Sequence, residues 1–281
     1  MKTAVITGGT DGIGRKLAQT LLERGDHVVV IGRSPAKAEA VLAAAARLGA
    51  TDRLEVLPAD LSLVSENYRV IDHVRSAYPA IDILTLGARY YRSSRALTAD
   101  GFEASFALFY LSRYLLTHGL AETLGRSTAP IVLDLSGPGG DLARINWDDL
   151  QFARGYDPDA VMHQCGKLSD LLAVTFVREH ANSGIRYLLL HPGLTATGFT
   201  GSYSAKDAAT VADMRRRGQP TGAAVARIMH HLDHPPVTPL SAFMQDTPVD
   251  TTGTAFDIAA AERLATHTRE LLTGAEPGPQ A

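Results

Sequence analysis

The sequence predicts an α/β protein: one doubly wound domain built on a parallel sheet of about seven strands. Three observations predict it. Short β-branched runs alternate with longer amphipathic stretches from the first residues onward. A glycine-rich turn joins the first of these runs to the first amphipathic stretch. The length, 281 residues, suits one large α/β domain. Regular β–α alternation of this kind implies right-handed crossovers that place helices on both faces of the sheet.

Each element has its own signal. Ala4-Val5-Ile6 reads as a strand, and over 13–25 apolar residues return at Leu17, Leu21 and Leu22, a helical spacing. Val28-Val29-Val30-Ile31 is the next strand. An alanine-rich helix follows over 35–48, with Pro35 suited to its first turn. A strand at 54–57, a helix through Val70, Ile71 and Val74, and a strand at 81–86 complete the first half. The second half predicts a helix around 102–124, a strand at 131–135, a helix from 159 to 182 and a strand at 185–190. No repeat or linker divides the chain, so residues 1–275 are expected to form a single domain. Residues 276–281 lack apolar anchors and are expected to be a flexible tail. The polar segment 198–220, rich in small residues, follows the sixth strand. Ligands of doubly wound sheets lie beyond the strands' carboxyl ends, so this segment is expected to act as a substrate lid.

Composition excludes several classes. The 27 basic residues are scattered among 30 acidic ones, for a net charge of −3. The one tight basic run, Arg215-Arg216-Arg217, is too short for a nucleic-acid footprint. A single cysteine, Cys165, rules out an internal disulfide and fits a reducing, cytoplasmic setting. No apolar run approaches the roughly 18 residues of a membrane span. The first strand begins at Thr3, leaving no room for a signal peptide before it.

Thr7-Gly8-Gly9-Thr10-Asp11-Gly12-Ile13-Gly14 leads from the first strand into the first helix. Glycines allow a sharp turn and close approach to a pyrophosphate, while the helix N-terminus presents N–H groups and a partial positive charge. The strand–turn–helix context is what gives such a motif its meaning. Arg33 follows the second strand, where an acidic residue would bind the ribose 2′-hydroxyl of NAD. A guanidinium there suits a 2′-phosphate instead, with Lys37 one turn on as added charge. NADP(H) is therefore the expected cofactor.

With these residues the chain resembles the short-chain dehydrogenase/reductase family, and within it the retinol-dehydrogenase-like branch, a Rossmann-type fold. The resemblance runs nearly the whole length. It includes the turn at 7–14, Arg33, Asp60-Leu61, Asp82-Ile83-Leu84, Asp100-Gly101-Phe102-Glu103, Ser136, Asp149-Leu150-Gln151, Lys167-Leu168 and His191-Pro192-Gly193 with Thr197. It implies hydride transfer between the nicotinamide and a carbonyl or alcohol carbon. It assigns cofactor binding to Gly8, Thr10, Asp11, Gly12, Ile13, Gly14, Arg33, Asp60, Leu61, Gly87, Ala88, Lys167, Pro192, Gly193 and Thr197. Asp60 and Leu61 would hold the adenine, and Pro192, Gly193 and Thr197 would border the nicotinamide. In the family a tyrosine moves the proton, a lysine four residues later tunes it and holds the ribose, and a serine binds the substrate oxygen. Pairing of two copies through the helices at 102–124 and 159–182 is open to this chain by analogy alone.

The chain departs from that pattern at the reacting end. Ser136 and Lys167 match, but His163 stands at the tyrosine position. The family's helix asparagine falls on Phe109, and its Asn-Asn-Ala-Gly stretch reads Leu86-Gly87-Ala88-Arg89. Histidine is a competent general acid or base near neutral pH. Its ring reaches about 2 Å less far than a tyrosine hydroxyl. Lys167 as a neighbouring cation is expected to keep the imidazole neutral, hence a better base than acid. Tyr90 or Tyr91 could supply a relocated phenol beside Arg89, although loop packing is the plainer reading. Cys165 reads as a small buried hydrophobe, and His230, His231 and His234 as helix-end histidines.

The expected function is an NADP(H)-dependent oxidoreductase acting on a small or medium apolar carbonyl or alcohol through an atypical Ser136–His163–Lys167 relay. The loss of the tyrosine and asparagine keeps two alternatives open. One is a non-redox isomerase, cyclase or lyase on the same frame; the other is a catalytically inactive NADP-binding regulator.

Overall fold

In a computed structural model, residues 1–274 are described. The tail expected at 276–281 lies outside the described residues. The first half runs β1 (Thr3–Thr7), α1 (Gly12–Glu23), β2 (His27–Gly32), α2 (Pro35–Arg47), β3 (Leu54–Pro58), α3 (Val64–Ala77), β4 (Ile83–Leu86) and a short β5 (Tyr91–Arg92). It continues through α4 (Ala104–Phe106), α5 (Ser112–Gly125), β6 (Ile131–Leu135), α6 (Pro158–Glu179), β7 (Arg186–His191) and a short β8 (Gly201–Ser202). The chain then forms α7 (Ala205–Arg217), α8 (Thr221–Asp233), β9 (Leu240–Met244), β10 (Thr247–Val249) and α9 (Ile258–Gly274).

The main sheet has eight strands in the order β10-β9-β7-β6-β4-β1-β2-β3. Seven are mutually parallel, and the eighth, β10, returns antiparallel to β9. The count is close to the expected seven; six of the parallel strands have residue ranges expected from sequence, and β9 and β10 do not. Side chains alternate across the sheet as strand geometry requires. Val5, Val29, Leu84 and Val132 pack on the face covered by α3, α5 and α6. Ala4, Ile6, Val30, Ile83 and Leu133 pack on the face covered by α1, α2 and α8. Burial on both faces explains why these strands read as continuous apolar runs.

Local chemistry sets the helix starts. Ser34 caps α2 by accepting from the Lys37 amide, and Pro35 occupies the first turn. Asp157 caps α6 through the Ala160 amide at 2.7 Å, again followed by proline. The single helix expected over 102–124 is instead interrupted: residues 107–111 form a π-helical turn between α4 and α5. An extra residue per turn is invisible to a 3.6-residue period, and such turns cluster at functional sites. The C-terminal elements from α8 onward were not among the sequence expectations. None of the described helices is long and apolar enough to cross a membrane.

Segment 198–220 is ordered by hydrogen bonding. β8 pairs in parallel with β5, and α7 follows under a Ser204 cap. The Tyr91 amide donates to Thr200 O at 3.1 Å and the Ser93 amide to Ser202 O at 2.9 Å. Only Val211 of α7 is buried, so the helix lies on the surface.

Candidate active site

The strand order reverses between β1 and β4, and the glycine-rich turn sits at that switch point, where doubly wound sheets bind ligands. Gly8 has φ +68°, and a Cβ there would lie 2.9 Å from Ala88 Cα. A Cβ on Gly14 would collide with the Gly8 carbonyl oxygen. Side chains are thus excluded where the backbone of the turn meets α1 and the 87–88 stretch. Thr7 Oγ1 draws that stretch in, accepting from the amides of Gly87 at 2.9 Å and Ala88 at 3.2 Å. The Asn-Asn-Ala-Gly departure therefore leaves the backbone of this wall anchored. The cradle fits a dinucleotide pyrophosphate.

Asp11 caps α1 from inside the turn, accepting from the Gly12 amide at 2.7 Å. It also binds the Lys37 ammonium and, at 3.0 Å, the Thr200 hydroxyl. Burial works to raise this carboxyl, but Lys37, the Gly12 amide and Thr200 outweigh it and hold it below the ordinary value. Lys37 is therefore not the free cation expected beside Arg33; its charge is matched by Asp11. The same contacts tie segment 198–220 to the turn, since Gly12 also packs under Thr197. Thr10 is buried behind the turn, and Ile13 packs with the α1-side core.

Arg33 lies at the carboxyl end of β2, 3.2 Å from Asp60, with both side chains partly exposed. Its guanidinium sits 4.8 Å from the centre of the Tyr90 ring, and Arg92 sits at the same 4.8 Å. Leu61 is buried beside Asp60. Tyr90 thus belongs to the Arg33 end of the cleft. Tyr91 stacks on Tyr203 at 5.4 Å, and burial, with nearby Asp207 and Asp159, pushes its phenol up to about 12. Both rings are engaged in packing contacts, Tyr90 with two guanidinium groups and Tyr91 with Tyr203.

At the other end, α6 carries His163 and Lys167 one turn apart on one face, as their spacing requires. Their surroundings differ sharply. Asp159 and His163 in the first turns of α6 are exposed, while Val161, Gln164, Cys165 and the residues from Lys167 to Phe176 are buried. His163 is exposed and its side chain makes no hydrogen bond among the described residues, whereas Lys167 is buried. Lys167 Nζ donates to Asp170 Oδ2 at 2.6 Å, and the Gly139 amide donates to the same oxygen at 3.0 Å. Asp170 Oδ1 is buried without a partner. Burial pushes this carboxyl up to about 7 against the pull of Lys167 and the Gly139 amide. The Lys167 charge expected to act on His163 is therefore met locally by Asp170. Ser136 is also enclosed: its Oγ is buried and has no hydrogen-bond partner among the described residues. Ser136, His163 and Lys167 make no hydrogen bond to one another.

Beneath this end lies a polar network that sequence reasoning missed. Arg113 on α5 pairs with Asp134 on β6, both buried, and also donates to Ser169 Oγ at 3.1 Å and Leu135 O at 3.3 Å. Tyr187 donates to the second Asp134 oxygen at 3.1 Å. These residues sit singly in apolar runs, and no local pattern relates them. His191, named in sequence only as part of the His191-Pro192-Gly193 motif and given no role, accepts at Nδ1 from the Gly193 amide at 3.2 Å. Burial, then the Arg89 guanidinium, hold its pKa below the ordinary value. A neutral His191 thus carries its proton on Nε2. Pro192 and Gly193 are buried, with Pro192 O accepting from Gln219 at 2.6 Å and Arg227 at 2.8 Å. Phe109 lies in the π turn, 5.7 Å from the Arg89 guanidinium. Cys165 is buried, and desolvation pushes its thiol up to about 12, as a core thiol requires. His230 and His231 end α8, and His234 is its C-cap.

A dinucleotide cradle at the switch point of a parallel sheet, with a basic group after the second strand, defines a class of nucleotide-dependent α/β proteins. The short chain dehydrogenase family profile matches residues 2–143, just over half of the chain, and the chain belongs to that family. It is 32% identical over 167 residues to a human polyprenol dehydrogenase, covering 58% of this chain and 51% of that protein. It is 31% identical over 203 residues to mouse retinol dehydrogenase 13, covering 70% and 59% respectively, within the retinol-dehydrogenase-like branch. The matches thus span between half and three-fifths of these relatives. The short-chain dehydrogenase of Sphingobium yanoikuyae, solved in complex with NADPH, superposes with a TM-score of 0.64 at 19% identity, covering 100% of this chain and 98% of that one. At that identity the likeness is one of fold.

Proposed function

We propose that this chain is an NADP(H)-dependent oxidoreductase acting on a small or medium apolar carbonyl or alcohol. The observation that carries the reading is the glycine turn closed against Gly87 and Ala88 at the switch point, with Arg33 at the end of β2. Gly8, Thr10, Asp11, Gly12, Ile13 and Gly14 would hold the pyrophosphate. Arg33 would take the 2′-phosphate, with Asp60 and Leu61 at the adenine. Gly87, Ala88, Pro192, Gly193 and Thr197 would line the nicotinamide half. The bound nicotinamide would supply or accept the hydride.

The chain's own residues would do the rest. Lys167 would leave Asp170 to hold the ribose hydroxyls, Ser136 would turn to the substrate oxygen, and His163 would carry the proton between oxygen and solvent. Segment 198–220, tied to the turn through Lys37 and Thr200, would cover the cleft as part of a single domain. A cytoplasmic setting fits the lone buried thiol. Exchanging His163 for Ala should abolish NADPH consumption with candidate aldehydes while leaving NADPH affinity nearly intact. Undiminished turnover would sink the relay.

One set of observations favours a second reading, a non-redox isomerase, cyclase or lyase on this frame. His163 is exposed and unpartnered, Ser136 is enclosed, and Lys167 is engaged by Asp170. Product formation without change in NADPH absorbance would favour it; stoichiometric oxidation would eliminate it. Cofactor binding without turnover of any substrate would leave an inactive NADP-binding regulator.

A further inference from the structure

We propose that His118, Glu179 and His180 form a zinc(II) site that staples α5 to the C-terminal end of α6. His118 projects from the middle of α5, Glu179 is the last residue of α6, and His180 is its C-cap. The three ligand atoms lie within 4.8 Å of one another. His118 Nδ1 is 3.5 Å from Glu179 Oε2 and 3.5 Å from His180 Nε2.

Those separations distinguish a metal site from a hydrogen-bonded cluster. A good N–H···N or N–H···O bond is about 2.7–3.2 Å long, so both contacts are at or beyond the limit for such bonds. Zinc at about 2.0–2.1 Å from nitrogen and 2.0–2.2 Å from oxygen places tetrahedral ligands about 3.3–3.5 Å apart. Both contacts also converge on one atom, His118 Nδ1, and a single proton there cannot serve two neighbours. A cation can serve all three. The exposed Glu179 side chain, 47% accessible, has the freedom to close the remaining edge.

The surroundings suit neutral imidazole ligands. His118 lies 4.5 Å from the Tyr114 ring and 5.4 Å from Phe176, and His180 lies 4.5 Å from Phe176. Desolvation, then His180 and Arg269, push His118 down to about 4, so at neutral pH it is no imidazolium pairing with Glu179. Desolvation also lowers His180, against the opposing charge of Glu179. Two nitrogens and one carboxylate are a borderline donor set that suits zinc, with a fourth position left to water. His118 Nε2 is buried without an acceptor. Second-shell acceptors normally strengthen such ligands, so the affinity is modest. Glu179 stands about 18 Å along α6 from Lys167, at about 1.5 Å per residue, which sets the metal apart from the candidate active site.

The test is calorimetric titration of chelator-treated full-length protein with zinc chloride, alongside cobalt(II) absorption and thermal unfolding. One equivalent should bind, cobalt should give the visible bands of a four- or five-coordinate site, and Tm should rise with metal. Glu179→Gln and His180→Asn, at partly open positions, should each weaken binding by about 10-fold or more. His230→Asn with His234→Asn should leave it unchanged. No binding, undiminished affinity in both first variants, or loss of binding with the His230/His234 pair would overturn the proposal.

Discussion

Lys167 and Asp170, one helical turn apart on α6, form a buried ion pair with Nζ 2.6 Å from Oδ2. The pair lies where the resemblance places a lysine free to bind ribose. A cofactor that engages Lys167 must draw it from Asp170, leaving the carboxylate buried with only the Gly139 amide.

The first prediction follows from that competition. Asp170 is raised from an ordinary value of 3.8 to about 7. Separation from Lys167 raises it further, so cofactor binding takes up a proton and tightens as pH falls through about 7. The same raised value means that Asp170 contributes stability below about pH 4, lost as pH rises to about 7. Asp170→Asn should flatten both dependences. Fluorescence titration of NADPH and urea unfolding from pH 5 to 9 check this, with the unaltered protein as reference.

Arg33→Ala should weaken NADPH binding by about 10- to 100-fold and leave NADH binding nearly unchanged, because a charge-assisted contact to the 2′-phosphate is lost. Parallel dissociation constants for the two cofactors decide it. Equal losses for both would remove Arg33 from the 2′-phosphate.

Gly8→Ala should destabilise the fold by about 1–3 kcal/mol, since alanine is strained at φ +68° and its Cβ would press on the Ala88 backbone. NADPH should also bind more weakly, because the turn must shift. Denaturant unfolding and cofactor titration read the two effects separately.

Arg113→Met should cost about 3–5 kcal/mol by leaving the buried Asp134 carboxyl without its partner. Combining it with Asp134→Asn should recover part of that loss. A double-mutant cycle in urea measures the coupling; simple additivity would mean the two groups act independently.

Legibility varied along the chain with the range of the interactions involved. The strands through Val5, Val29 and Leu84, the glycine turn and Pro35 in the first turn of α2 carry a local signature in residue type and period, and local pattern expresses them. Arg33 at the end of β2 was legible for the same reason, because strand end and helix start fix its place. The π turn around Phe109 was not, since one extra residue in a helix changes no composition. The state of the catalytic candidates was not legible either. Spacing puts His163 and Lys167 on one face of α6, but only tertiary packing against the helix leaves one exposed and buries the other.

Residue type and short-range spacing therefore determined the fold class and the order of its first six strands, because apolar periodicity and turn chemistry act locally. The tertiary structure decided which charges meet. Lys167 with Asp170, Lys37 with Asp11 and Thr200, Arg113 with Asp134, and His118 with Glu179 and His180 depend on burial or on helices brought together from distant parts of the chain. Electrostatic energy depends on separation and on exclusion of water, and neither quantity exists until the chain has packed.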